Sequence, residues 1–293
     1  MKNIIYYYYN LYANKFKKIN DCFAFEIDKK QYEFIPFYGD VNSVFKNYQF
    51  IISSKKYCHQ IILNKDNSIL TYYKNKPYLL IRKDFCIDKY VDIDEIINYD
   101  ILVNGDYNLN WKNLWKEKID YYEYQISELA FKYPVLKKSF NYYVGLTENA
   151  ISLLNYIDKS NINYYICHKR VNYKQKLCDF FNPTEIVIDN ITRDIAEYIK
   201  NNYLNDNITI NEVCSIIDKL NFNYTESILF LSRITYPSYY FDLYDEIIQE
   251  IANENKIEYY IKKNTMYEIF LKQVYEYLKG KYALPEIEWM KLK

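Results

Sequence analysis

The sequence predicts an α+β fold in two parts, a small β-rich part over residues 1–100 and a large helical part over residues 101–293. Three observations lead there. Short runs of β-branched and aromatic residues, bounded by Asn, Asp, Lys and Gly, fill the first hundred positions. A single stretch of helical spacing sits among them. Beyond residue 110 apolar side chains recur every three or four positions over long stretches, the period of helices with one buried face. A chain of 293 residues can bury a sizeable core in such an arrangement.

Residues 22–27 and 31–36, joined by Asp28, Lys29 and Lys30, read as a hairpin. Gly39 and Asp40 break the strand pattern. Val44, Tyr48, Ile51 and Ile52 then recur at helical spacing, with Asp40 as the cap. Residues 59–63, 68–73 and 78–82 follow as three short strands, separated by the turn-forming stretches 64–67 and 74–77. Residues 91–110, which contain Gly105, read as the hinge between the two parts.

Asn110 is expected to cap a long helix with Trp111, Trp115, Ile119, Tyr122, Ile126 and Leu129 on its inner face, ended by Pro134. A second helix is expected over 147–156, with Thr147 to Asn149 as its capped start. Further helices are expected over 192–203, 211–220, 225–234, 242–253 and 265–279, the last closed by Gly280. No internal repeat is evident.

Composition excludes several classes. Lys+Arg and Asp+Glu both number 38, so there is no basic excess of the kind that a nucleic-acid surface requires. No apolar run is long enough to span a bilayer. The N-terminal Tyr-rich stretch lacks a small-residue cleavage site and is not read as a signal peptide. Six cysteines (Cys22, Cys58, Cys86, Cys167, Cys178, Cys214) without CxxC spacing are expected to be reduced and mostly buried, as in a cytoplasmic protein. The two histidines each follow a cysteine, as Cys58-His59 and Cys167-His168. Neighbours on a strand point to opposite faces, so packed and hydrogen-bonded histidines are preferred to a zinc site. The 38 tyrosines fit an AT-rich coding bias, and each buried ring brings a hydroxyl that needs a partner.

The chemistry-bearing residues fall between 165 and 196. Tyr165-Ile166-Cys167-His168-Lys169-Arg170 is followed by Ile186-Val187-Ile188-Asp189-Asn190 and by Arg193-Asp194-Ile195-Ala196. This resembles the active-site order of kinase-like phosphotransferases. Those proteins place His-Gly-Asp at the first segment, an Asn five residues beyond the Asp, and a strand ending in a metal-binding Asp at the second. Here Arg170 stands at the position of the catalytic base and Gln175 at that of the Asn. A guanidinium cannot accept a proton from a substrate hydroxyl. The other parts that phosphoryl transfer needs are also missing. Gly39 is the only glycine before position 100, residues 32–37 carry no cation, and residues 40–56 carry no glutamate to pair with one.

Asp189 admits two readings, an acid that holds a cation and a strand-end acid that caps the helix beginning near Thr192, the second preferred. His168 is read as a packing residue beneath the loop. Asp194 either braces that loop or is a surface acid on a helix N-terminal turn. Arg170 either binds an anion or pairs with an acid such as Asp179 or Glu185, the second preferred.

Taken together, residues 111–123, 141–151, 166–170, 187–197, Tyr236-Pro237 and 284–289 resemble the spore coat-associated, kinase-like proteins of the CotS/YutH type, within the wider aminoglycoside phosphotransferase and protein kinase-like fold. The stretch Tyr142-Tyr143-Val144-Gly145-Leu146-Thr147-Glu148-Asn149-Ala150-Ile151 is the most specific part of the match. Gly145 to Asn149 is read either as a structural corner, which is preferred, or as part of a partner-binding face.

The resemblance implies a bilobal kinase-like fold, lost phosphotransferase chemistry (a pseudokinase) and a binding or scaffold role linked to the spore coat of sporulating Firmicutes. It implies other proteins, spore coat components among them, as partners and no cofactor. The alternative is an active small-molecule kinase of the aminoglycoside phosphotransferase type, using ATP and Mg with Asp189 as the metal ligand. His168, Arg170, Gln175, Asp189 and Asp194 are then the degenerate active-site positions.

Overall fold

Two tight turns organise the first sheet. The computed structural model describes residues 1–84, 87–105, 107, 110–129, 131–158 and 162–291. Helix α1 (Lys2–Tyr9) and strand β1 (Lys17–Ile19) come first. Neither is expected from the sequence, because each is short and carries little periodic signal. The expected hairpin is β2 (Cys22–Ile27) against β3 (Lys30–Pro36). Its loop residues Asp28 and Lys29 have φ of 49° and 63°. Two successive positive φ values make the kind of turn whose twist matches that of paired strands.

Helix α2 (Val41–Ser53) follows, and the Asp40 side chain accepts from the Asn42 amide as its N-cap. Strands β4 (Gln60–Ile62), β5 (Thr71–Tyr73) and β6 (Lys76–Lys83) complete the sheet. β5 and β6 are joined by Lys74 and Asn75, again at positive φ (50° and 61°). The antiparallel order is β1-β2-β3-β6-β4, with β5 also paired to β6.

Alternation along β6 divides the core of this sheet. Tyr78 and Leu80 pack with Phe25, Tyr32, Phe34 and Ile5 of α1, and Leu79 and Ile81 pack with Phe37, Ile61 and Val44 of α2. Residues 91–110, expected as a hinge, contain a short helix, α3 (Ile93–Asn98). A capping box between Asp92 and Glu95 starts it.

The helical part begins with α4 (Trp111–Leu129) and α5 (Pro134–Leu153). Asn110 lies at the start of α4 as expected, its carbonyl accepting from the Leu114 amide. Pro134 does more than follow α4, because it is the first residue of α5. A small two-stranded sheet pairs β7 (Tyr165–His168) with β8 (Ile186–Asp189), with α6 (Leu177–Phe180) between them in the chain. The remaining helices are α7 (Thr192–Leu204), α8 (Ile210–Leu220), α9 (Tyr224–Thr235), α10 (Ser238–Ile248) and α11 (Ile257–Lys279). The last two start earlier than expected: Pro237 opens α10, and Ile257 lies directly behind a 3₁₀ turn.

The chain divides into two compact units. One comprises Met1–Val103, Tyr165–Arg170 and Lys174–Ile188, the other Asn104–Tyr164, Val171–Tyr173 and Asp189–Lys293. Among the described residues no helix is long and apolar enough to cross a membrane.

Helix α9 shows how local sequence supports the second unit. Asn223 Oδ1 accepts from the Glu226 amide at 2.9 Å, and Glu226 Oε2 accepts from the Asn223 amide at 3.1 Å. Asn223→Ala removes one half of this capping box and should cost about 1 kcal/mol, measured by urea unfolding.

Gly145 lies inside α5 and not at a corner. The expected corner at 145–149 is corrected because the apolar period runs straight through the glycine, from Leu136, Phe140 and Tyr143 to Thr147, Ala150 and Ile151, all buried. Thr147 is not a cap. Its hydroxyl donates to the Tyr143 carbonyl one turn back.

Candidate functional site

The expected site residues distribute over both units. His168, Arg170 and Gln175 belong to the first, Asp189 and Asp194 to the second.

His168, at the end of β7, is 1 % exposed and stacks on Phe180 with ring centroids 3.8 Å apart. Its Nε2 lies 3.0 Å from the Phe180 carbonyl. A carbonyl only accepts, so Nε2 carries the proton. His59 does the same from the other sheet, with Nε2 2.7 Å from the Cys178 carbonyl and Nδ1 accepting from the Tyr57 hydroxyl at 3.0 Å. Burial holds the His59 pKa below its usual value. Both histidines thus anchor the backbone of α6. Among the described residues no group of three or more His, Cys, Asp or Glu side chains is placed to hold a metal. Cys22, Cys58, Cys167 and Cys214 are not in disulfides, whereas Cys178 is disulfide-bonded, and Cys86 lies outside the described residues. The expectation of six reduced thiols is corrected at Cys178: spacing along the chain carries no information on which sulfurs the fold brings into bonding distance.

Arg170, half-buried, donates through Nη1 to the Lys169 carbonyl at 2.8 Å. Of the two acids expected near it, Glu185 lies 3.7 Å from Lys169 and Asp179 lies 3.8 Å from Lys83. Gln175 contributes backbone, its carbonyl accepting from the Val91 amide at 2.9 Å. On the first sheet β3 carries an acid, Glu33, whose carboxylate is 2.7 Å from Lys83 of β6.

Asp189 is the hub of the second unit. It ends β8 and is 2 % exposed. Arg233 of α9 reaches Oδ1 at 2.5 Å, and Arg193 of α7 reaches Oδ2 at 2.9 Å. The Trp111 indole N–H donates to both oxygens at 3.1 and 3.3 Å, and the Asn190 amide donates to Oδ1 at 2.7 Å. The Arg233 guanidinium also lies over the Trp111 ring, 5.3 Å from its centroid. Burial alone would raise the Asp189 pKa, but the charges of Arg233 and Arg193 outweigh it and hold the carboxyl below its ordinary range.

The capping reading of Asp189 is thereby corrected. Ile191 is the N-cap of α7 and brings no side-chain cap, while Asn190 Oδ1 accepts from the Thr192 amide at 3.0 Å. The donor set does not fit a divalent cation either. Both carboxylate oxygens are bonded to guanidinium groups, so a metal at this carboxylate would meet two fixed positive charges within hydrogen-bonding distance. The sequence held one visible clue, Arg193 at four residues from Asp189. Arg233, forty-four positions away, left none, and Trp111 reads only as a core residue.

Asp194 is 2 % exposed on the first turn of α7, so the surface-acid reading is corrected. Nearly two turns further on, Lys200 is fully buried and donates to Glu197 at 2.9 Å, to the Arg233 carbonyl at 3.2 Å and to the Tyr236 carbonyl at 2.9 Å. Ser238 donates to the same Glu197 oxygen at 2.8 Å. The sequence reading missed this network entirely.

Residues 102–274 match the family model described as "Spore coat putative kinase YutH". The endospore coat-associated protein YutH of Bacillus subtilis (strain 168) is 25% identical over 211 residues, which cover 61% of this chain and 61% of that protein. The chain thus spans about three fifths of the curated relative that it matches. An aminoglycoside phosphotransferase from Alicyclobacillus acidocaldarius shares the fold with a TM-score of 0.66 at 8% identity, over 96% of both chains. The spectinomycin phosphotransferase APH(9)-Ia, solved with ADP and spectinomycin, has a TM-score of 0.57 at 11% identity, over 95% of this chain and 97% of that one. Its AMP-bound complex gives 0.59 at 13% identity, over 94% and 96%. The α+β, kinase-like fold expected from the sequence is therefore the fold of this chain.

Proposed function

We propose that this chain, which belongs to the spore coat putative kinase YutH family, is a pseudokinase that acts by binding other proteins in association with the spore coat. The observation that carries the reading is the closure of Asp189 by Arg193 and Arg233. A carboxylate that would hold Mg²⁺ in an active relative is committed here to two internal cations. Arg170 adds a group that cannot act as a base, and Gln175 adds an amide held through its backbone. The relative from Bacillus subtilis bears a coat-associated name, and coat association comes to this chain on that likeness.

Thermal unfolding with and without Mg·ATP tests the reading. The expected result is an unchanged midpoint and no ADP release on incubation with candidate alcohols, aminoglycosides included. A ligand present at 100 times its dissociation constant would add about 2.7 kcal/mol of stability. A midpoint raised to that degree, followed by ADP release, would support the alternative, a small-molecule kinase using ATP and Mg. Arg170→Asp is expected to leave ADP release at baseline, because the new carboxylate does nothing to free Asp189.

A further inference from the structure

Two of the four glycines have a reason inside the chain. A Cβ on Gly39 would lie 2.7 Å from the Phe37 ring, and Gly105 has φ of 155°. Gly280 ends α11 at an ordinary φ of −66°. Gly145 has no such reason. It sits in the middle of α5, where glycine weakens a helix relative to alanine, and a Cβ there would meet nothing within 4 Å. Nothing in the chain's own packing asks for a bare backbone at this point.

The open side of Gly145 lines a groove of about 540 Å³. Asn141 and Asn149, one turn to either side on the same face of α5, flank it, and Glu268 and Lys272 of α11 and Trp289 stand opposite. Asn149 donates its amide to the Gly145 carbonyl, which leaves its Oδ1 without a partner among the described residues. Tyr142 also lines the groove. Its hydroxyl is buried beside Glu268, and no hydrogen bond of ordinary geometry closes between them.

We propose that this groove holds an extended polypeptide segment of a partner protein, laid across the bare backbone at Gly145. The polar lining favours that occupant. Asn141 and Asn149 each carry donor and acceptor atoms, as a peptide main chain does, and they can pair with either. Glu268 and Lys272 supply one charge of each sign, and Glu288 and Lys291 at the rim are paired with each other at 2.7 Å, so the lining has no net charge and offers nothing to a polyanion. Tyr142 and Trp289 provide the aromatic walls that anchor a bound side chain. Glycine at the floor lets the segment approach the helix closely.

The proposal rests on the binding-protein reading but is tested without nucleotide, so each can fail alone. Random peptides displayed on phage are selected on the immobilised full chain, and enriched peptides are synthesised with a fluorescent label and titrated against it by fluorescence anisotropy. The expected result is binding that weakens about tenfold or more in Gly145→Leu, which fills the floor, and in Trp289→Ala, which removes a wall. Gly145→Leu should fold, since its side chain enters open space, and a midpoint at or above that of the parent chain confirms it. Absence of enriched peptides, or peptides bound equally by both variants, overturns the proposal. Self-association of the parent chain that Gly145→Leu abolishes would assign the groove to a second copy and overturn it as well.

Discussion

Asp189→Ala should destabilise the protein by about 3–5 kcal/mol, read as the shift in urea midpoint. In an active kinase the metal-binding acid answers to the metal, and its loss is felt chiefly in turnover. Here it answers to the fold. Removing the carboxylate takes away the counter-charge shared by Arg233, whose side chain is 8 % exposed, and Arg193, at 22 %, and it removes the acceptor of the Trp111 N–H as well. Breaking one partner of a buried ion pair costs far more than the pair contributes, because the remaining charge keeps its desolvation penalty. Asp189→Asn preserves the shape and one acceptor oxygen, so it should recover only part of the loss. An alanine variant of unchanged stability would mean that the two guanidinium groups are not held by this carboxylate.

The same group sets an acid limit. Its pKa is depressed in the folded state, whereas in the unfolded chain it returns to about 3.9. The unfolded state therefore binds the proton first, and the contribution of Asp189 is fully present above that value. It should be lost as the pH falls from about 4 towards the folded-state pKa. The difference in stability between the parent chain and Asp189→Asn should shrink over that interval.

Lys200→Ala is expected to cost a similar amount, about 3–5 kcal/mol. The Lys200 ammonium donates to Glu197 and to two backbone carbonyls, all buried. Two of the partners are carbonyls from the end of α9, Arg233 and Tyr236, where a helix leaves acceptors unpaired and carries partial negative charge. Lys200 reaches from α7 to satisfy that terminus and neutralises Glu197 in the process. Alanine would take the ammonium away from an enclosed carboxylate, which Ser238 also contacts, and from two buried carbonyls. Lys200→Met with Glu197→Gln removes both charges together and should be less damaging than Lys200→Ala alone. Equal losses in the two variants would show that the cost lies in packing and not in charge.

Gly145→Ala points the other way. The new methyl meets nothing within 4 Å, so the helix should gain about 0.5–1 kcal/mol. A chain that gives up stability at an open position, while holding only four glycines in all, is consistent with a demand made from outside the chain.

Much of the first unit was legible because strands and tight turns are local. Asp28-Lys29 and Lys74-Asn75 announce their turns, and alternation along β6 sorts Leu79 from Leu80 without reference to anything distant. Helix existence was equally plain, while helix starts were not. Pro134 reads as a stop and serves as an opening, since a proline that ends one periodic run is also well suited to begin the next. The corner expected at Gly145 failed for a related reason: a glycine signal was given more weight than an apolar period that never breaks.

The sequence alone determined that the chain takes a kinase-like α+β fold, and it supplies the residue types at Arg170 and Gln175 on which the proposal of a lost base and a lost metal-holding amide rests. Those facts depend on residue type and on short-range spacing, which a linear reading carries in full. Only the tertiary structure decided what became of Asp189. Its fate depends on a guanidinium forty-four residues away and on an indole seventy-eight residues away. Charges interact through distance in space, and no pattern along the chain records which of them the packing of α4, α7 and α9 will bring to one carboxylate.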